Sequence, residues 1–163
     1  MLALLNSPAY NVVKTLHILT VIAGFGPLLW ATVVAMRAKA VGGEVGAALI
    51  DTQAAITRFA EYCLGATLIL GFALSGMSST GGKDPKMANG FAEPWVGAST
   101  LLLLIGLGLL GGLLSPAQKQ IAAAMRRGDT AEMASLEKKL IPASAGANLC
   151  FTIAVFLMVL KPG

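Results

Sequence analysis

Four stretches of this chain are too long and too apolar to suit a water-soluble domain: Val12–Met36, Ala60–Met77, Trp95–Leu114 and Ala143–Leu160. A helix needs about 20 mainly apolar residues to cross the roughly 30 Å hydrocarbon core of a bilayer. Composition points the same way. Charged residues make up 12% of the chain and hydrophobic ones 56%, against about 25% charged in ordinary soluble domains, so there is too little polar surface to face water all round. No stretch carries the short alternating pattern of a membrane barrel. The expected fold is all-α: an integral membrane four-helix bundle, one membrane domain over residues 1–163, with the lipid bilayer as its first partner.

Charge sets the expected orientation. The first and third connections hold Arg37, Lys39, Arg58, Lys119, Arg126, Arg127, Lys138 and Lys139, while the opposite side holds Lys14, Lys83, Lys86 and Lys161. The positive-inside rule then places both termini and the 78–94 loop outside a bacterial cytoplasmic membrane. The net charge of +4 is accounted for by these loops, and nucleic acid is not an expected partner. Lys14, the apolar run after it and Ala38-Lys39-Ala40 resemble a signal peptide, but an h-region spans only about 7–15 residues. The run is therefore read as a retained anchor.

The cytoplasmic connections are expected to form short amphipathic helices against the bundle or the headgroups. Residues 44–59 extend the second span, with Ala48, Ala55 and Phe59 near one face. Ser115-Pro116 has the form of a cap followed by proline at the first helical position, opening a helix over Ala117–Arg127. Gly128-Asp129 breaks it, and Thr130 caps another helix in which Met133, Leu136 and Leu140 share a face. The outer loop is irregular, Trp95 marks the outer interface, and Trp30 anchors the other boundary. Gly108 with Gly112, and Gly71 with Ser75, have the spacing of close helix contacts; room for a flat ligand is the other use of such glycines.

Several motifs fail on context. Gly106-x-Gly108-x-x-Gly111 matches a dinucleotide fingerprint but lies in an apolar span, with no preceding strand or following acid. Gly76–Asp84 misses a P-loop by one glycine and by Asp84 standing where Ser or Thr is required. Zinc wants three or four Cys and His ligands, and the chain has a single histidine and two cysteines, Cys63 and Cys150, expected as reduced packed thiols. A Ser-His-Asp hydrolase has no acid near that histidine.

The histidine itself, His17, is the one group that calls for chemistry. It lies five residues into the first span, about 7–8 Å below its outer start. At that depth the other spans are expected to offer Ser75 and Met77, Ser99 and Thr100, and Phe156 and Met158. Asn148 and Thr152 fall in a deeper layer with Glu61, Tyr62 and Thr32. Three roles compete for His17. It is a neutral ring hydrogen-bonded to Ser75, Ser99 or Thr100; or an axial ligand of haem b inside the bundle, with Met77, Met158 or a second copy completing the iron; or part of a Cu(I) relay with the same methionine sulfurs. Farther down the first helix, Gly24-Phe25-Gly26-Pro27 makes a weak point, because Pro27 leaves the Ala23 carbonyl without its helical partner. Gly24, two turns below His17, is placed to floor a haem pocket.

The Lys14-Thr-Leu-His17 start followed by the Gly24 and Gly26 pair resembles the opening of a group of bacterial membrane proteins. That group includes the copper-resistance D family and the membrane protoporphyrinogen oxidase that binds haem b. Over nearly its full length, with the basic third connection and the closing Phe156–Pro162, the chain resembles an uncharacterised bacterial four-helix integral membrane family of unknown function. The resemblance implies that His17 matches the first-helix histidine that relatives use for haem or copper. Two departures weaken oxidase activity more than haem binding: Ile22-Ala23 stands where relatives carry Trp before the glycine pair, and no charged residue of the second helix lies at His17's depth. The expected function is a small haem-b-associated redox or electron-transfer protein with His17, Gly24, Ser75, Met77 and Met158 at the cofactor. The alternatives are a non-catalytic accessory subunit that packs against a larger membrane complex or a second copy, and copper handling.

Overall fold

Each apolar run is the middle of a longer helix. The computed structural model describes residues 8–79 and 93–161, and the glycine- and lysine-rich connection expected to be irregular lies, for 80–92, outside them. The helices are α1 (Pro8–Val41), α2 (Gly43–Ser79), α3 (Pro94–Leu109), a π turn (Leu110–Leu114), α4 (Ser115–Arg127) and α5 (Thr130–Leu160). Because α3, the π turn and α4 run on without a break, the described residues form four rods long and apolar enough to cross a membrane. At 1.5 Å per residue the 34 residues of α1 reach about 51 Å, well beyond a hydrocarbon core of roughly 30 Å.

As expected, residues 44–59 extend the second span, and nothing breaks the chain between residues 43 and 79. The helix expected over Ala117–Arg127 is present but runs on from α3 through the π turn, so Ser115 does not cap it: the residue at the cap position of α4 is Leu114, already helical. Pro116 cannot donate to the Gly112 carbonyl and its ring crowds it, and the chain absorbs this by widening into the π turn just upstream. The break at Gly128 is as expected, with φ of 69°. There the cap is Asp129, whose carboxylate accepts from the Glu132 N–H at 2.9 Å, and Thr130 is the first residue of α5.

These continuous rods build a second core. Ala38, Ala47, Ile50, Ile121, Ala122 and Met125 pack together at the basic end of the bundle, and Met133, Leu136 and Leu140 close over them, as their shared face suggested. The first core lies nearer mid-bundle, around Leu28, Leu64, Leu103, Leu110 and Phe151. On α2 the inward stripe is Gly46, Ile50, Gln53, Thr57, Ala60, Leu64 and Thr67, an alternation of four- and three-residue steps that keeps one seam facing its neighbours. Ala48, Ala55 and Phe59 instead face outward. Gln53 and Thr57 hold the inward face because they satisfy each other: Thr57 donates to the Gln53 carbonyl at 2.9 Å and accepts from the Gln53 amide at 3.5 Å and from Gln118 at 3.3 Å.

Two tight turns fix helix register. Only Gly42, at φ 65°, separates α1 from α2, so paired positions sum to about 85: Ala38 lies over Gly46 and Gly24 over Ala60 and Leu64. Gly128-Asp129 does the same for the other hairpin, where Gly106 meets Phe151 and Gly146 meets Leu109. At Gly24 an added Cβ would stand 2.7 Å from Leu64 Cγ, so α1 and α2 pack too tightly there to admit a side chain. Gly108 and Gly112 have open space around them and face outward; the close contact on α3 belongs to Gly106. The hairpins join where α4 lies along α2, and toward the end carrying the termini α1 and α5 barely touch.

Candidate functional site

Where the hairpins diverge, a cavity of about 410 Å³ opens between α1, α2, α3 and α5. His17 lines it, with Ser75, Thr100 and Met158, so three of the five residues expected around a cofactor share one space. Met77 is not among its lining residues, and neither is Gly24, which the Leu64 side chain covers. Register explains Met77. The Gly42 turn places His17 against Thr67 and Gly71 rather than against Ser75 and Met77, and Met77 lies six residues beyond Gly71, about 9 Å along the helix.

The His17 ring is held from α2. Its Nδ1 lies 3.0 Å from the Thr67 carbonyl oxygen. A carbonyl only accepts, so Nδ1 carries the proton, and in the neutral ring Nε2 keeps its lone pair. Gly71 makes room for this contact: a Cβ there would stand 3.3 Å from His17 Cε1. A chain of hydroxyls braces the same turn. Thr20 donates to the His17 carbonyl at 2.9 Å, and its oxygen lies 2.9 Å from Thr67 Oγ1, which also reaches the Cys63 carbonyl at 3.0 Å. Thr67 is a little over two turns deeper than Ser75, the partner on α2 that depth counting from the apolar windows suggests, and the one-residue Gly42 turn is the sequence signal that locates it.

Ser99 is fully buried, but its hydroxyl donates to the Trp95 carbonyl one turn back at 2.6 Å. Trp95 is 8% exposed and forms part of the cavity wall. The Lys161 ammonium lies 5.9 Å from the centre of its ring, within cation–π reach, while the indole N–H is buried with no acceptor among the described residues. Trp30, by contrast, is 66% exposed on the outside of α1. Lys14 and Lys161 both line the cavity, and among the described residues no Asp or Glu does. Most of the remaining wall is apolar, including Val21, Leu68, Phe72, Leu103 and Val155.

The deeper polar layer is arranged differently from the expected grouping of Glu61 with Asn148 and Tyr62. The Ser115 hydroxyl donates to the Glu61 carboxylate, Tyr62 points outward at 72% exposure, and Thr152 donates to the Asn148 carbonyl within α5. Among the described residues no group of three or more His, Cys, Asp or Glu side chains is placed to hold a metal ion. Cys63 and Cys150 are free, half-buried thiols. Comparisons with protein-family models, with curated proteins and with solved structures find no match to this chain.

Proposed function

We propose that this protein is a small haem-b-associated redox component of a bacterial cytoplasmic membrane, with His17 as axial ligand and both termini on the outer side. The observation that carries the reading is the His17 Nδ1 contact with the Thr67 carbonyl at 3.0 Å. Histidines that bind metal characteristically donate their other ring N–H to a carbonyl or carboxylate, which fixes the tautomer and aims the free nitrogen. The cavity fits such a group. Its volume of about 410 Å³ lies in the range of cofactor pockets, and its apolar walls suit a macrocycle. The buried, unmatched indole N–H of Trp95 and the two lysines suit acidic substituents such as propionates. Met158 brings a thioether to the same space, as a candidate for the second axial position.

Bound haem b supplies reversible one-electron transfer. The chain's own residues would orient the ligand nitrogen through Thr67, exclude water with the apolar walls, and hold acidic groups at Trp95, Lys14 and Lys161. Purified protein is expected to show a Soret band and a reduced α band, both lost in His17→Ala and shifted in Met158→Ala. A colourless, metal-free preparation would refute the haem reading and the copper reading together. A second reading, a subunit of a larger membrane complex, is supported by α1, whose most apolar window is only 11% buried against 28% for α2. Co-purification of a stoichiometric membrane partner with a colourless protein would favour it.

A further inference from the structure

At the basic end, on the outer surface between α2 and α4, lies a second hollow of about 410 Å³. Its walls carry Arg58, Tyr62 and Phe59 from α2, and Ser115 and Lys119 from α4. Arg58 and Tyr62 are one turn apart, as are Ser115 and Lys119, so two facing helix surfaces each present a cation and a hydroxyl. Arg58 and Lys119 make no hydrogen bond or ion pair among the described residues. Asp51 also lines the hollow, but its carboxylate is held by Arg126 at 2.5 Å, and the neighbouring Glu61 accepts from Ser115.

Depth identifies what such a pair meets. From Tyr62 to Ser79 on one side, and from Pro94 to Gln118 on the other, no residue is charged. With Glu61 bonded to Ser115, Arg58 and Lys119 are thus the last cations before both rods enter their apolar stretches, at the level of lipid headgroups. Phe59 and Tyr62 are 56% and 72% exposed, and Ile69, two turns farther along the outward stripe of α2, is 70% exposed, which continues the hollow as an apolar track toward mid-bundle. We infer that this hollow is a binding site for an anionic phospholipid of the adjoining leaflet. Its phosphate lies between Arg58 and Lys119, the Tyr62 hydroxyl donates to a phosphate oxygen, and an acyl chain follows Tyr62 and Ile69. The site is independent of the cavity around His17.

The test is native mass spectrometry of the full-length protein, released from micelles holding equal amounts of phosphatidylglycerol and phosphatidylcholine. The wild type is expected to retain phosphatidylglycerol in preference to phosphatidylcholine. Removing both cations in R58Q/K119Q weakens retention about 30-fold, which is about 2 kcal/mol at 1.4 kcal/mol per decade, and each single variant weakens it about 5-fold. K138Q/K139Q removes two charges from the same end of the bundle on α5 and leaves retention within about 3-fold. All these side chains are exposed, so unchanged circular dichroism accompanies each result. Equal loss in both double variants, no loss in R58Q/K119Q, equal retention of the two lipids, or displacement of the adduct by inorganic phosphate alone would each overturn the assignment.

Discussion

Replacing Gly106 by Ala separates packing from helix propensity. An added Cβ would lie 2.4 Å from Phe151 Cε1 and 2.6 Å from Cζ, whereas carbon atoms in contact prefer about 3.5–4.0 Å. The ring has to retreat by about 1 Å. It has little room to do so, being 2% exposed and set edge-on to Phe25 with centroids 6.2 Å apart. Overpacking of this kind costs about 1–3 kcal/mol. Exchanging Gly for Ala within a helix returns about 1 kcal/mol, so Gly106→Ala is expected to lose up to about 2 kcal/mol. At Gly108 nothing stands within 4 Å of the added carbon, and the same exchange there is expected to gain up to about 1 kcal/mol.

The two variants differ by one residue pair on the same helix and carry identical chemistry, so their separation isolates the contact with Phe151. Reversible unfolding in mixed detergent micelles, followed by circular dichroism, measures it. Gly106→Ala should unfold at lower denaturing detergent than the wild type, and Gly108→Ala at the same point or higher. Adding Phe151→Leu to Gly106→Ala should recover part of the loss, with a coupling of about 0.5–3 kcal/mol expected between touching residues. If the Gly106 and Gly108 variants unfold together, the placement of Phe151 against α3 is wrong, and with it the register of the second hairpin.

Two further substitutions test local chemistry. Ser115→Ala removes the donor to the half-buried Glu61 carboxylate and is expected to cost about 1–3 kcal/mol; the cost should shrink when Glu61→Gln is already present, and an equal cost on both backgrounds would deny the bond. Asp129→Ala removes the cap that accepts from the Glu132 N–H, for about 0.5–2 kcal/mol, and should speed amide exchange at residues 130–133 while leaving α3 unchanged.

The four membrane rods follow from the apolar runs alone, because hydropathy over 18 or more residues leaves a chain few other structures. Their ends do not follow from it. The run of 44–59 into the second span is legible, because no residue between 43 and 79 interrupts the hydrogen-bond ladder, but the segment 117–127 loses its apolar signal where it leaves the bilayer and so resembles a separate surface helix. Ser115-Pro116 misleads for a related reason: a cap signature and a tolerated mid-helix proline share the same letters, and the π turn that decides between them has no sequence mark beyond Gly111-Gly112. On α2, outward Ala55 and Phe59 imitate a packed face because lipid rewards apolar residues as well as a core does. His17 is legible as the one imidazole, and its companions Thr100 and Met158 are legible from depth. Thr67 is not, since it acts through its backbone carbonyl and any residue type supplies one.

What places Thr67 is the turn. With Gly42 alone joining α1 to α2, His17 must face residues near 68, and a free carbonyl lone pair there meets the ring wherever the side chain of the next turn is small enough. Gly71 satisfies that condition. The residue that fixes the histidine tautomer is thus selected by two glycines, one 25 positions after His17 that sets register and one 54 positions after it that leaves space. The Thr20–Thr67 hydroxyl pair then locks the two helices at that depth, so the ring keeps its orientation while the cavity beside it stays open between hairpins that pack together at mid-bundle and at the basic end.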